Sequence, residues 1–153
     1  MGVVAVQRKH HLLYESGYGY ANVTAKTPFT PDTRFPVGSV SKQFTAAAIL
    51  LLQQDGRLKT SDSIERYYPK APASWNRITL RNLLTQTSGI PDFDFGEVYR
   101  NTHHRPQELI EDILNKPLGF QPGTKYGYSN TNYLLLGLVV EKVSGHSLCH
   151  HEA

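Results

Sequence analysis

The stretch GSVSKQFTAAAILLLQQDG, residues 38–56, predicts a helix from Ser39 to Gln54. Alanine, leucine, isoleucine and Phe44 occupy nearly every side of it, and neither glycine nor proline interrupts. Asp55-Gly56 ends it, because glycine tolerates the left-handed conformation that follows a helix C-terminus. A helix apolar almost all round is expected at the centre of a core. Its first turn carries Ser39 and Lys42, three residues apart on one face, so their side chains can meet.

On the N-terminal side, Val3–Gln7 and His11–Glu15 are two short β-prone runs joined by the polar Arg8-Lys9-His10. They read as a hairpin that continues toward Gly17-Tyr18-Gly19-Tyr20. Two strands alone are marginal and need further strands or a helix against one face. Residues 27–38 contain Pro28, Pro31, Pro36 and a closing Gly38, the composition of a surface loop ending in a tight turn. On the C-terminal side, residues 78–84 predict a short helix capped by Thr79 and ended near Gly89. Pro106 opens a helix with Leu109, Ile110, Ile113 and Leu114 on one face. Asn130 or Thr131 would cap a last apolar helix running to about Val143 and ended by Gly145.

Strand, strand, helix and several further helices, without internal repeats, describe an α+β chain. The expected architecture is an N-terminal β-hairpin of an incomplete antiparallel sheet packed on a mostly helical region. One domain is expected over residues 1–153, with the hairpin and loop in 1–38 and the helical part in 39–153.

Composition narrows the function classes. Of 153 residues, 39% are hydrophobic and 19% charged, the balance of a folded globular chain rather than a disordered one. Sixteen Lys and Arg against thirteen Asp and Glu give a net charge of +3, and the basic residues are scattered. No nucleic-acid partner is expected, since phosphate binding requires a clustered basic face. The apolar run at residues 46–52 is too short to span a membrane, and the region after Met1 lacks a secretory signal pattern. Cys149 is the single cysteine, so no intrachain disulfide is expected and the compartment stays open.

Ser39 and Lys42 are candidates for covalent catalysis. A serine hydroxyl is a weak nucleophile at neutral pH and needs a neighbouring base. A lysine near the positive end of a helix and partly desolvated is driven toward the neutral amine that could serve. The backbone N–H of Ser39 would supply one donor of an oxyanion hole. A bare Ser-x-x-Lys also describes a helix cap followed by a lysine reaching into solvent. The second cluster, Gly127-Tyr128-Ser129-Asn130, stands just before the last helix. Aimed at Ser39 and Lys42, its tyrosine would be a second proton carrier and its amide a donor to a substrate carbonyl. Tyr128 taken alone is equally a core or rim aromatic among nine tyrosines.

Three ordered blocks carry a resemblance: residues 35–46 (FPVGSVSKQFTA), 78–91 (ITLRNLLTQTSGIP) and 128–137 (YSNTNYLLLG). Together they resemble the serine β-lactamase-related family of class C β-lactamases, D-alanyl-D-alanine peptidases and serine-lysine carboxylesterases, from the first hairpin to about Leu148. The resemblance implies a β-lactamase/transpeptidase-like fold and acyl transfer. Ser39 would attack a carbonyl, Lys42 with Tyr128 would move the proton, Asn130 would hold the substrate amide, and water would release the acyl group. The substrate would be a β-lactam, a D-Ala-D-Ala peptide or an ester, with no cofactor and no metal.

The sequence departs from that family in places. Its Lys-Thr-Gly or His-x-Gly block, expected downstream of Tyr-x-Asn on a strand that gives the second oxyanion donor, is not in these residues. His146 belongs instead to the Ser-Gly-x-Ser turn closing the last helix. The expected opening helix and C-terminal strands are missing too, so the chain reads as a truncated, N-terminal portion with weakened activity. A homo-oligomer or a complementary C-terminal segment is the expected partner. The rival expectation is a non-catalytic fragment acting as a binding or assembly module through its strand edge. Gln86 stands where many relatives have His, in a block read as structural. Cys149-His150-His151-Glu152 has metal-ligand residue types, but adjacent ligands at a chain end do not close a tetrahedral site. His103-His104 reads as a solvated loop pair.

Overall fold

The computed structural model describes residues 1–93 and 106–148; the His103-His104 pair and the Cys149-His150-His151-Glu152 tail lie outside them. The chain divides into two compact units, Met1–Gly38 and Ser39–Ala153. It is α+β, with antiparallel strands in the first unit and helices in the second.

In the first unit, β1 (Gly2–Arg8) pairs with β2 (His11–Tyr18), longer at both ends than the β-prone runs suggest. Lys9 and His10 both take positive φ, 45° and 67°, as a two-residue turn matched to strand twist requires. The register shifts between Val6 and Gln7, so Arg8 faces His11 while Val6 faces Tyr14. A second ribbon corrects the reading of residues 27–38 as loop throughout. β3 (Tyr20–Asn22) pairs with β4 (Thr27–Pro28), and the turn between them is closed by Ala25 N–H donating to Asn22 Oδ1 at 2.8 Å. Proline is tolerated there because a two-stranded ribbon is all edge. Phe29 is buried beside Phe35, with ring centroids 5.2 Å apart, edge to face.

A 3-10 turn (Gly38–Val40) precedes α1 (Ser41–Gln54), so Ser39, expected to open the helix, lies in that turn instead. The central, buried helix expected here is not what α1 is. Only Ile49 and Leu52 are buried in it, while Phe44 is 67% and Leu51 60% exposed. Among the described residues α1 packs chiefly on α4 (Asn130–Ser144), and packing on one side covers only one stripe of a helical cylinder.

Residues 56–79 run without long elements, pinned by two 3-10 turns (Ile64–Arg66 and Ala73–Trp75) whose Ile64 and Trp75 are fully buried. Ile64 N–H donates to Ile78 O and Leu80 N–H to Asp62 O, tying the ends of this excursion together. α2 (Leu80–Leu84) follows with the expected Thr79 cap, which forms a reciprocal box: Asn82 N–H donates to Thr79 Oγ1, and Thr79 N–H to Asn82 Oδ1. α3 (Pro106–Leu114) turns Ile110 and Ile113 inward. α4 is the helix that the core surrounds, with Leu135, Leu136, Val139 and Val140 buried. It ends at Gly145, φ 79°. Neither Asn130 nor Thr131 caps it. Ser129 holds the cap position without a side-chain cap bond, and the first N–H groups are met by Asp92 from a distant loop. Among the described residues no helix is long and apolar enough to cross a membrane.

Candidate active site

The site is assembled by the loop after α2. Gln86 (φ 59°) and Gly89 (φ 79°) reverse the chain, and a Cβ on Gly89 would stand 2.2 Å from Phe120 O, so only glycine lets the two backbones lie together. Gly119 N–H then donates to Gly89 O, Gly123 N–H to Thr87 O and Gly127 N–H to Gln86 O, at 2.8, 2.8 and 2.9 Å. These backbone bonds lay residues 119–127 along residues 86–89 and deliver Tyr128 beside the start of α1.

The four residues expected from sequence to form the site come together. Ser39 Oγ lies 2.8 Å from Tyr128 Oη, and Lys42 Nζ donates to Ser39 Oγ at 3.0 Å and to Asn130 Oδ1 at 2.7 Å. Tyr128 Oη also donates to Asn130 Oδ1 at 3.3 Å. Lys42 Nζ stands 5.3 Å and 5.8 Å from the ring centroids of Tyr128 and Tyr133, two faces that favour a cation. Tyr128 is 49% exposed, open to a reactant.

The electrostatics favour loss of the Tyr128 proton. Hydrogen bonding from Lys42, then from Ser39, and after them the charge of Lys42 hold its phenol below the usual tyrosine range, while burial and the carboxylate of Asp92 pull the other way. Tyr133 moves upward, first through burial and then through its proximity to Tyr128.

Two residues of the site were missed by sequence reasoning. Gln86, read only as part of a structural block, anchors the turn that carries Tyr128. Its Oε1 accepts from Ser129 N–H at 3.0 Å and from Asn132 Nδ2 at 2.5 Å. Asn132, fully buried, in turn accepts from Ser88 Oγ at 2.6 Å. Asp92 grips Asn130 through both backbone N–H and side-chain Nδ2. Neither contact has a signal in the sequence, because the partners lie about 40 residues apart and share no helical or strand period. Among the described residues no group of His, Cys, Asp or Glu side chains is arranged to hold a metal ion.

A family model, Beta-lactamase, matches residues 2–151. The chain is 36% identical over 152 residues to a penicillin-binding protein of Bacillus subtilis (strain 168), covering 95% of this chain and 33% of that protein. It spans about a third of the length of the curated relatives it matches. Among solved structures, it is similar to the octameric penicillin-binding protein homologue from Pyrococcus abyssi, with TM-score 0.81 and 34% identity over 95% of this chain and 35% of that one. It is similar also to the D-amino acid amidase from Ochrobactrum anthropi SV3, with TM-score 0.77 and 29% identity over 95% of this chain and 40% of that one.

Proposed function

Since the chain belongs to the beta-lactamase family, we propose that it is a serine hydrolase acting through an acyl-enzyme on Ser39. The observation that carries this reading is the meeting at Ser39 Oγ of Tyr128 Oη at 2.8 Å and Lys42 Nζ at 3.0 Å. In the proposed reaction Ser39 Oγ attacks the carbonyl carbon while its proton passes to the Tyr128 phenolate. Lys42, which donates to Ser39 Oγ and Asn130 Oδ1, acts as the ammonium that stabilises this phenolate rather than as the neutral-amine base expected from sequence. The protonated tyrosine then gives that proton to the leaving nitrogen or oxygen as the carbonyl–leaving-group bond breaks. Water, deprotonated by the same phenolate, attacks the acyl–Ser39 ester; as the acyl C–Oγ bond breaks, Tyr128 returns that proton to Ser39 Oγ, freeing the serine and restoring the phenolate. Asn130 offers its remaining Nδ2 hydrogen to a substrate carbonyl. The substrate class is a β-lactam, a D-Ala-D-Ala peptide or an ester.

The test is mass spectrometry after exposure to a fluorophosphonate or a penicillin. An adduct on Ser39 is expected, and Lys42→Ala and Tyr128→Phe are each expected to slow its formation by about 10²–10⁴. Label on Ser41 or Ser129 and none on Ser39 would sink the assignment, and a variant within about threefold of the parent would remove that residue from the mechanism. Labelling should rise with pH and level off below the ordinary phenol range, because Tyr128 loses its proton at lower pH than an ordinary phenol and the reactive base is available earlier. A second reading, a binding or assembly module without turnover, is favoured by the apolar residues that α1 leaves in solvent. It predicts self-association with no acylation.

A further inference from the structure

We propose that Asp92 is a positioning residue that sets the orientation of the Asn130 side-chain amide, an inference that rests on the active-site reading of Asn130 given above. An asparagine amide has two faces of opposite character, a carbonyl that accepts and an NH₂ that donates. In the site the carbonyl must face Lys42, which offers only donors. The structure gives the amide that orientation from behind: Asp92 Oδ2 accepts from Asn130 Nδ2 at 2.8 Å, leaving Oδ1 turned to Lys42 Nζ at 2.7 Å. A carboxylate accepts and cannot donate, so at this contact only the NH₂ end is tolerated. A flipped amide would set carbonyl against carboxylate on one side and NH₂ against ammonium on the other.

The carboxylate is itself held. Its Oδ1 accepts from the backbone N–H groups of Asn130 at 2.9 Å, Thr131 at 3.4 Å and Phe93 at 3.0 Å. Two of these open α4, where a negative charge is favoured by the helix dipole. One carboxylate thus fixes the helix start, the backbone of Asn130 and the direction of its amide. Because Nδ2 carries two hydrogens and Asp92 takes one, the other remains for a substrate carbonyl.

The informative substitution is Asp92→Asn, which keeps the shape. The new amide can offer an acceptor to the helix N–H groups or to Asn130 Nδ2, but not to both, since its other end donates. The expected result in side-chain amide NMR is that the Asn130 Nδ2 protons, identified by their disappearance in Asn130→Asp, move upfield in Asp92→Asn and return toward the parent position in Asp92→Glu. Ser39 labelling by a fluorophosphonate should fall by about 10-fold to 100-fold, the scale on which small misplacements act. Asn130 amide signals that do not move in Asp92→Asn would overturn the proposal whatever happens to labelling. If Asp92→Asn does not fold, the parent decides. One Asn130 amide proton well downfield of its geminal partner is expected, and a solvent-like pair would overturn it. If the parent never labels on Ser39, the hydrolase reading fails, while the amide shift still decides the role of Asp92.

Discussion

Replacing Gln86 should loosen the turn that carries Tyr128. Gln86 Oε1 is the acceptor for two buried donors, Ser129 N–H and Asn132 Nδ2, and both of those residues are essentially inaccessible to water. Deleting the acceptor strands both, at about 1–3 kcal/mol each. Part of this is returned, because Gln86 Nε2 is itself buried with no partner among the described residues and its removal relieves roughly 1 kcal/mol. The net loss for Gln86→Ala is therefore about 3 kcal/mol, a fall in Tm of roughly 6–12 °C for a chain of this size.

Gln86→Gly separates side chain from backbone. Residue 86 sits at φ 59°, where a Cβ costs about 1–2 kcal/mol. Glycine removes that cost but adds roughly 0.5–1 kcal/mol of unfolded-chain entropy. The glycine variant should be more stable than the alanine variant by about 0.5–1 kcal/mol, yet still well below the parent. Urea and thermal unfolding read both numbers, and the fluorophosphonate labelling rate reads the displacement of Tyr128. A glycine variant within about 0.5 kcal/mol of the parent would refute the reasoning, since the side-chain network would then contribute nothing.

Two further outcomes are expected. Tyr67 Oη donates to Asp62 Oδ2 at 2.5 Å, and burial first, then this bond, push its phenol up to about 12. The folded form thus holds the proton more tightly than the unfolded chain, so this stabilisation is complete below about pH 10 and lost as pH rises toward about 12. Tyr67→Phe should cost about 1–3 kcal/mol at pH 7 and flatten the alkaline fall in urea-melt stability; an unchanged alkaline slope would assign that fall to other groups. On α1, Phe44, Ala47 and Leu51 share one face and are exposed. We expect the purified chain to self-associate through it, and Phe44→Lys with Leu51→Lys to reduce the sedimentation coefficient to that of a monomer. A parent that already sediments as a monomer would rule this out.

Much of the chain was legible from local rules. The Thr79 cap, the glycine at the end of α4, the inward face of α3 and the approach of Ser39 to Lys42 each depend on residues within a few positions of one another, where helix geometry decides distance. The hairpin turn was legible in the same way, although its strands run further than β-propensity suggests because strand pairing, a partner effect, extends them.

What the tertiary structure decided concerns partners remote in the chain. That Asp92 rather than Asn130 or Thr131 satisfies the start of α4, and that Gln86 holds the Tyr128 turn, follow from backbone bonds between residues 86–89 and 119–127 that no periodicity announces. The exposure of Phe44 and Leu51 has the same origin. An apolar side chain states a preference for burial, and that preference is met only where another element covers it, as α4 covers Ile49 and Leu52 but not the opposite side of α1. Sequence by itself determined which residues could cap, turn or react; the packing of distant segments decided which of them meet.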